Sequence, residues 1–216
     1  MSQKSDCAQS GRAAPIISPV TTAPFTRSQL DHDLQTIRED VLRIGSLVEE
    51  QIRASVRALK ERNMPLARQV IESDARVNEL RYKVEEQCLR CIARQQPTAR
   101  DLRQIISGIH MAVELERIGD HAAGIASISM RLGEVPLIKP LIDIPRMAQL
   151  DVDMLHRALT AYVNEDVEAA RAIPMEDDEV DALYNQVYRE LMTFVIQDPK
   201  TIERANWLLW VAHNLE

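Results

Sequence analysis

The chain has 216 residues, 45% of them hydrophobic, enough to bury a core in one large or two small domains. Its 26 basic and 33 acidic residues leave a formal charge of -7, which excludes a general nucleic-acid or anionic-membrane binder, since those need a basic face. No run approaches the roughly 20 apolar residues of a membrane span, so a cytoplasmic protein is expected.

Residues 1 to about 27 are rich in Ser, Thr, Ala and Pro without periodicity, which predicts a disordered or loosely attached tail. From there the pattern is helical. Leu30, Leu34, Ile37, Val41, Ile44, Val48, Ile52, Val56 and Leu59 step by threes and fours along one seam, with Ser28 as the expected N-cap. Asn63-Met64-Pro65 should end this helix and open the next, because proline suits a first helical turn and breaks an interior one. A second seam runs through Val70, Val77, Val84, Cys88 and Cys91. Three cysteines, an odd number, give no disulfide framework, and Cys88 and Cys91 read as buried thiols.

Gln96-Pro97-Thr98 makes the next break, with Thr98 and Asp101 as a capping pair for a third helix reaching about Leu132. Its seam, followed through Leu102, Ile105, Ile109, Ala112, Glu116, Gly119, Ala123 and Ala126, puts Glu116 inside and Asp120 one turn on. Gly133 to Pro145 is the expected linker, so the domains are a first repeat over 28–132 and a second over 146–216.

The second part of the chain repeats the first. Asp74, Val77 and Leu80 find echoes in Asp177, Val180 and Leu183, an offset of 103. Ile105, Ile109, Ala112 and Glu116 match Ala205, Leu209, Ala212 and Glu216 at an offset of 100. The fold expected is all-α: two tandem antiparallel three-helix bundles, six long helices in all.

One ionised carboxylate buried without compensation costs on the order of several kcal/mol, and two a turn apart also repel each other. Two explanations stand. Either Glu116 pairs with an arginine such as Arg117 or faces water, or it belongs with Asp120 and Asp74, and by repeat Asp177 and Asp181, to an oxygen-rich cation cage. Small residues around Gly119 leave room for one. His110 and His213, set equivalent at an offset of 103, and His121 read as hydrogen-bonded histidines, and Trp207 and Trp210 as packing residues. No nucleophile elbow or phosphate-cradling glycine loop is present, so no enzyme is expected.

The stretch ELERIGDHAAGIA, Glu114 to Ala126, resembles the signature of the PhoU family of phosphate transport system regulators; QPTARDLRQI and the D-x-x-V-N/D pattern at Asp74 and Asp177 fit it as well. The resemblance covers about Thr26 to the C-terminus. It implies metal bound through Glu/Asp-x-x-x-Asp motifs, here Glu116 with Asp120, Asp177 with Asp181, half a motif at Asp74, and Glu216 in the second repeat. The ion would be iron, zinc, manganese or magnesium. It further implies a regulator of phosphate uptake and phosphate-starvation signalling, with the nucleotide-binding subunit of the phosphate ABC transporter and the phosphate sensor histidine kinase as partners. A homo-oligomer, a dimer, is expected, without nucleic acid or membrane insertion. Asn78 departs from the all-acid pattern. The sequence given ends at Glu216, where the resemblance implies a further R-x-G-D stretch, so the second repeat is expected to be incomplete and its site weaker. A ferritin-like carboxylate oxidase would need Glu-x-x-His pairs, to which Asp153-x-x-His156 is the nearest approach. The other alternative is a metal-free helical adaptor.

Overall fold

The computed structural model describes residues 27–216, so the tail expected at the N-terminus falls outside the described residues up to Arg27. Helices α1 (Arg27–Glu61), α2 (Met64–Gln95) and α3 (Ala99–Leu132) pack on one another as a first antiparallel bundle. The second is built from α4 (Asp143–Asn164), α5 (Val167–Ala172), α6 (Asp177–Gln197) and α7 (Ile202–Leu215). Between α5 and α6 the chain stays helical through a 3-10 turn, Ile173–Glu176, so the two are pieces of a single element, the fifth of six. Pro174 explains the interruption, because it has no N–H to offer the preceding turn.

The helix boundaries follow local chemistry. Asn63 accepts a bond from the Leu66 N–H at 3.0 Å, with Pro65 in the first turn, and so starts α2 as expected. Gln96 ends α2 in the left-handed region at φ 45°. Thr98 holds the N-cap position of α3 without a side-chain bond to the helix N–H groups; its hydroxyl donates to Asp101 at 2.6 Å, and Arg27 donates to the same carboxylate at 2.8 Å. These partners hold the Asp101 carboxyl below its ordinary range, Arg27 contributing most. Ser28 is not a cap, for it lies inside the first turn of α1. The expected linker is shorter than its 133–145 span: Asp143, Ile144 and Pro145 already form the first turn of α4.

The apolar seams of α1 and α2 are buried as their spacing demands, apart from partly exposed Leu34. The seam of α3 is corrected. Its buried line runs Ile105, Gly108, Ala112, Leu115, Gly119, Ala122 and Ala126, so Glu116 sits beside the seam, partly buried, and Asp120 is exposed. The same rotation applies to α7, which buries Ala205, Leu208, Val211, Ala212 and Leu215 and leaves Glu216 exposed. In that register the α3/α7 offset of 100 pairs His110 with Trp210, not with His213.

The two bundles share one apolar core. α1 runs antiparallel to α4, and α3 to α7. At the first of these contacts a Cβ on Gly45 would lie 2.4 Å from Leu159 Cδ1, so the missing side chain sets how closely α1 and α4 approach. The end of α4 is tied down by Glu165, left-handed at φ 54°, whose carboxylate accepts from Arg38 at 3.3 Å, Arg100 at 3.1 Å and Gln104. Overfilling the α1–α4 contact should therefore be costly. Gly45→Leu should lower unfolding free energy in urea by about 1–3 kcal/mol; a loss under about 0.5 kcal/mol would show that the helices are free to move apart there.

Candidate metal centre

Three helices of the first bundle converge beside Gly119. A Cβ at that position would lie 3.2 Å from Gln51 Oε1, 3.5 Å from Asp74 Oδ1 and 3.5 Å from Val77 Cγ1. Glycine here lets α1 and α2 bring polar oxygens against the backbone of α3. Glu116 and Asp120 flank Gly119 on α3, and both raise the Asp74 carboxyl electrostatically. Burial is the largest cause of that upward shift, then Asp120, then Glu116; the bond from Asn78 Nδ2, 2.9 Å from Asp74 Oδ2, opposes it.

No cation balances these acids among the described residues. The arginine partner considered for Glu116 is engaged elsewhere, since Arg117 pairs with Glu114 at 2.8 Å. Asp74 Oδ1 and Gln51 Oε1 are buried acceptors without a donor. An unsatisfied buried acceptor costs about 1–3 kcal/mol, so two of them, one on Asp74 itself, beside Glu116 and Asp120 mark a place that a positive charge would stabilise. Among the described residues no three His, Cys, Asp or Glu side chains are already drawn into a metal-ready group. The donor set nevertheless fits a hard cation: carboxylate and amide oxygens only, with no thiol or imidazole. Asn78 turns its amide nitrogen, a donor, toward Asp74.

The second bundle is more open. Asp177 and Asp181 are exposed on α6, and Glu216 faces His213 of its own helix, its Oε2 2.8 Å from Nδ1. The acid that Asp177 meets is Asp151 on α4, which the sequence analysis missed. Desolvation first and Asp177 second push the Asp151 carboxyl up to about 8. One signal could have found it. Val41, Ile44, Val48 and Ile52 of α1 correspond to buried Leu141, Ile144, Ala148 and Val152 at an offset of 100, and that register sets Asp151 opposite Gln51.

The other candidates have structural partners. His121 Nδ1 lies 3.0 Å from Asn214 Oδ1, and His110 is exposed. His156 meets Glu49 at 3.3 Å, so Asp153-x-x-His156 makes no oxidase-type pair. Trp207 packs under the Arg131 guanidinium at 5.0 Å and Trp210 lies edge-on to His213. Burial pushes the Cys88 thiol up to about 12, and Cys91 up as well, so both stay protonated.

The carboxyl shifts have a stability consequence. A raised native pKa means that the folded state holds a proton the unfolded chain has released, so stability falls as pH rises through that window. For metal-free protein, Asp74→Asn should raise the melting temperature at pH 7, with the gain fading as pH falls toward the ordinary carboxylate range. A lower melting temperature for Asp74→Asn at pH 7 would mean that the Asp74 charge is balanced. Metal-free wild type should also lose stability between the ordinary carboxylate range and about 8, and Asp151→Asn should flatten that slope. An unchanged slope would place Asp151 in water.

Comparison with known proteins agrees with this architecture. The PhoU domain profile matches residues 41–129 and 144–216. A phosphate-specific transport system accessory protein PhoU homolog of Aquifex aeolicus is 37% identical over 87% of this chain and 85% of its own length. The accessory protein PhoU of Escherichia coli K12 is 34% identical over 87% and 78%. The crystal structure of PhoU from Pseudomonas aeruginosa superposes with a TM-score of 0.82 at 34% identity, covering 87% of this chain and 90% of that one. That of the phosphate transport system regulatory protein PhoU from Streptococcus pneumoniae gives 0.79 at 29%, covering 87% and 88%. These names are those of accessory and regulatory proteins, not of enzymes. With two matched domains, the expected helical duplication and relatives aligned over most of its length, the chain belongs to the PhoU family of phosphate transport system accessory and regulatory proteins.

Proposed function

We propose that this protein restrains phosphate-starvation signalling when phosphate is plentiful, acting in the cytoplasm as a homodimer on the nucleotide-binding subunit of the phosphate ABC transporter and on the phosphate sensor histidine kinase. Its relatives' names tie them to phosphate-specific transport. No helix among the described residues is long and apolar enough to cross a membrane, which suits a partner of a membrane transporter better than a membrane component.

Metal binding is part of the proposal. In the first bundle Glu116, Asp120 and Asp74 would hold a divalent cation such as iron, zinc, manganese or magnesium. In the second Asp177 and Asp181 would do so with Asp151, and Glu216 would join only by leaving His213. The observation that carries this is the pair of buried, donorless oxygens, Asp74 Oδ1 and Gln51 Oε1, beside acids with no basic partner. The cation would supply the missing charge and cross-link α2 and α3, fixing the bundle surface that a partner meets.

A deletion strain should express phosphate-starvation genes in rich phosphate. Wild-type protein should restore repression, and the Glu116→Gln, Asp120→Asn double variant, stably produced, should restore little of it. Unchanged expression in the deletion strain would refute the regulatory role. Full repression by the double variant would separate that role from these acids.

A further inference from the structure

Gln51 is an unusual residue to find where it lies. It is 4% exposed, between Val48 and Ile52 on the buried seam of α1, and a buried amide is tolerated only when its polar ends are satisfied. One end is. Gln51 Nε2 donates to Ser73 Oγ at 3.0 Å, while the Ser73 hydroxyl donates to the Val70 carbonyl at 2.8 Å. A hydroxyl has a single proton, so Ser73 Oγ toward Gln51 can only accept, and the amide cannot be flipped. Ser73 therefore locks Gln51 with its carbonyl oxygen turned toward Gly119, the backbone it approaches together with Asp74 Oδ1. Neither oxygen has a donor.

We infer that Gln51 Oε1 is a ligand of the first metal centre, a neutral oxygen contributed by α1 and aimed by Ser73, so that the site is walled by three helices and not two. This rests on the metal reading above. Two acceptor oxygens cannot bond each other, and what fits between them is a cation or a water. Neutral carbonyl oxygens among carboxylates are ordinary ligands for hard divalent ions. The repeat gives the choice of glutamine a consequence. At the corresponding position the second bundle carries Asp151, so α1 offers its centre a neutral oxygen where α4 offers a carboxyl group. At this position the first centre thus has a neutral oxygen where the second has an ionisable one, and Gln51 gives the first less negative charge than a carboxylate there would.

The test is a Mn2+ titration of the chelator-stripped full chain by calorimetry, with free Mn2+ followed by electron paramagnetic resonance. First-centre binding is the difference between wild type and the Glu116→Gln, Asp120→Asn double variant. Gln51→Leu, close in volume but without the oxygen, should weaken that component by about tenfold or more, leaving the remainder untouched. Gln51→Glu should strengthen it. Wild-type first-centre affinity in both Gln51 variants, with the double variant impaired, would overturn the inference while leaving the metal reading intact; Gln51 would then hold a bridging water only. No Mn2+ binding by wild type would remove the metal reading and this inference with it. If Gln51→Leu does not fold, Gln51→Glu alone decides, and an unchanged affinity counts against the inference.

Discussion

The structure turns on the closeness of three helices at Gly119. Without a side chain there, Gln51 on α1 and Asp74 on α2 press their oxygens against α3, between Glu116 and Asp120. Such a crossing gathers acceptors and negative charge in one place and offers one amide donor, Asn78, in return. Burial first, and then the charges of Asp120 and Glu116, push the Asp74 carboxyl up there. Long apolar seams on either side make it tolerable, since the shared core holds the helices together whatever happens at the acids. A cation would satisfy these oxygens and tie together the helices that meet there.

Much of this was legible in the sequence, and the failures have physical causes. The seams of α1 and α2 were clear because branched and long apolar residues recur without competition. The seam of α3 was placed a fraction of a turn away because Ile105, Ala112, Gly119 and Ala126 lie on both the buried track and its neighbour. Small residues leave the choice between threes and fours open, and the doublet Leu115-Glu116 offers one candidate to each. Glu116 and Asp120 were picked out as candidates from the misplaced seam; both lie to one side of the true one, Glu116 partly buried and Asp120 exposed. Gln51 and Asp151 were missed since a lone polar residue on a helix is solvated by default. Only the α1/α4 register, or the contact with Ser73, reveals that Gln51 points inward.

The interruption of the fifth helical element was not read from the sequence: Pro174 causes it, and the chain passes it as a 3-10 turn and stays helical. The bundles are also more firmly joined than a Pro-rich linker suggests. Gly45 against Leu159 and Gly124 against Asn214, whose Oδ1 would lie 3.0 Å from an added Cβ, mark close approaches at two helix pairs. Glu165, held by Arg38 and Arg100, pins the far end of α4 to the first bundle. The helices that carry Gln51, Glu116 and Asp120 are thus the same ones that pack against the second bundle.

A cation bound beside Gly119 can be seen directly. Anomalous diffraction at the manganese absorption edge, from crystals of Mn2+-loaded protein, tests it most directly. A peak should lie within bonding reach of Gln51 Oε1, Asp74 Oδ1 and at least one of Glu116 and Asp120. A fully loaded crystal with only a water at that position, and manganese elsewhere or nowhere, would contradict it.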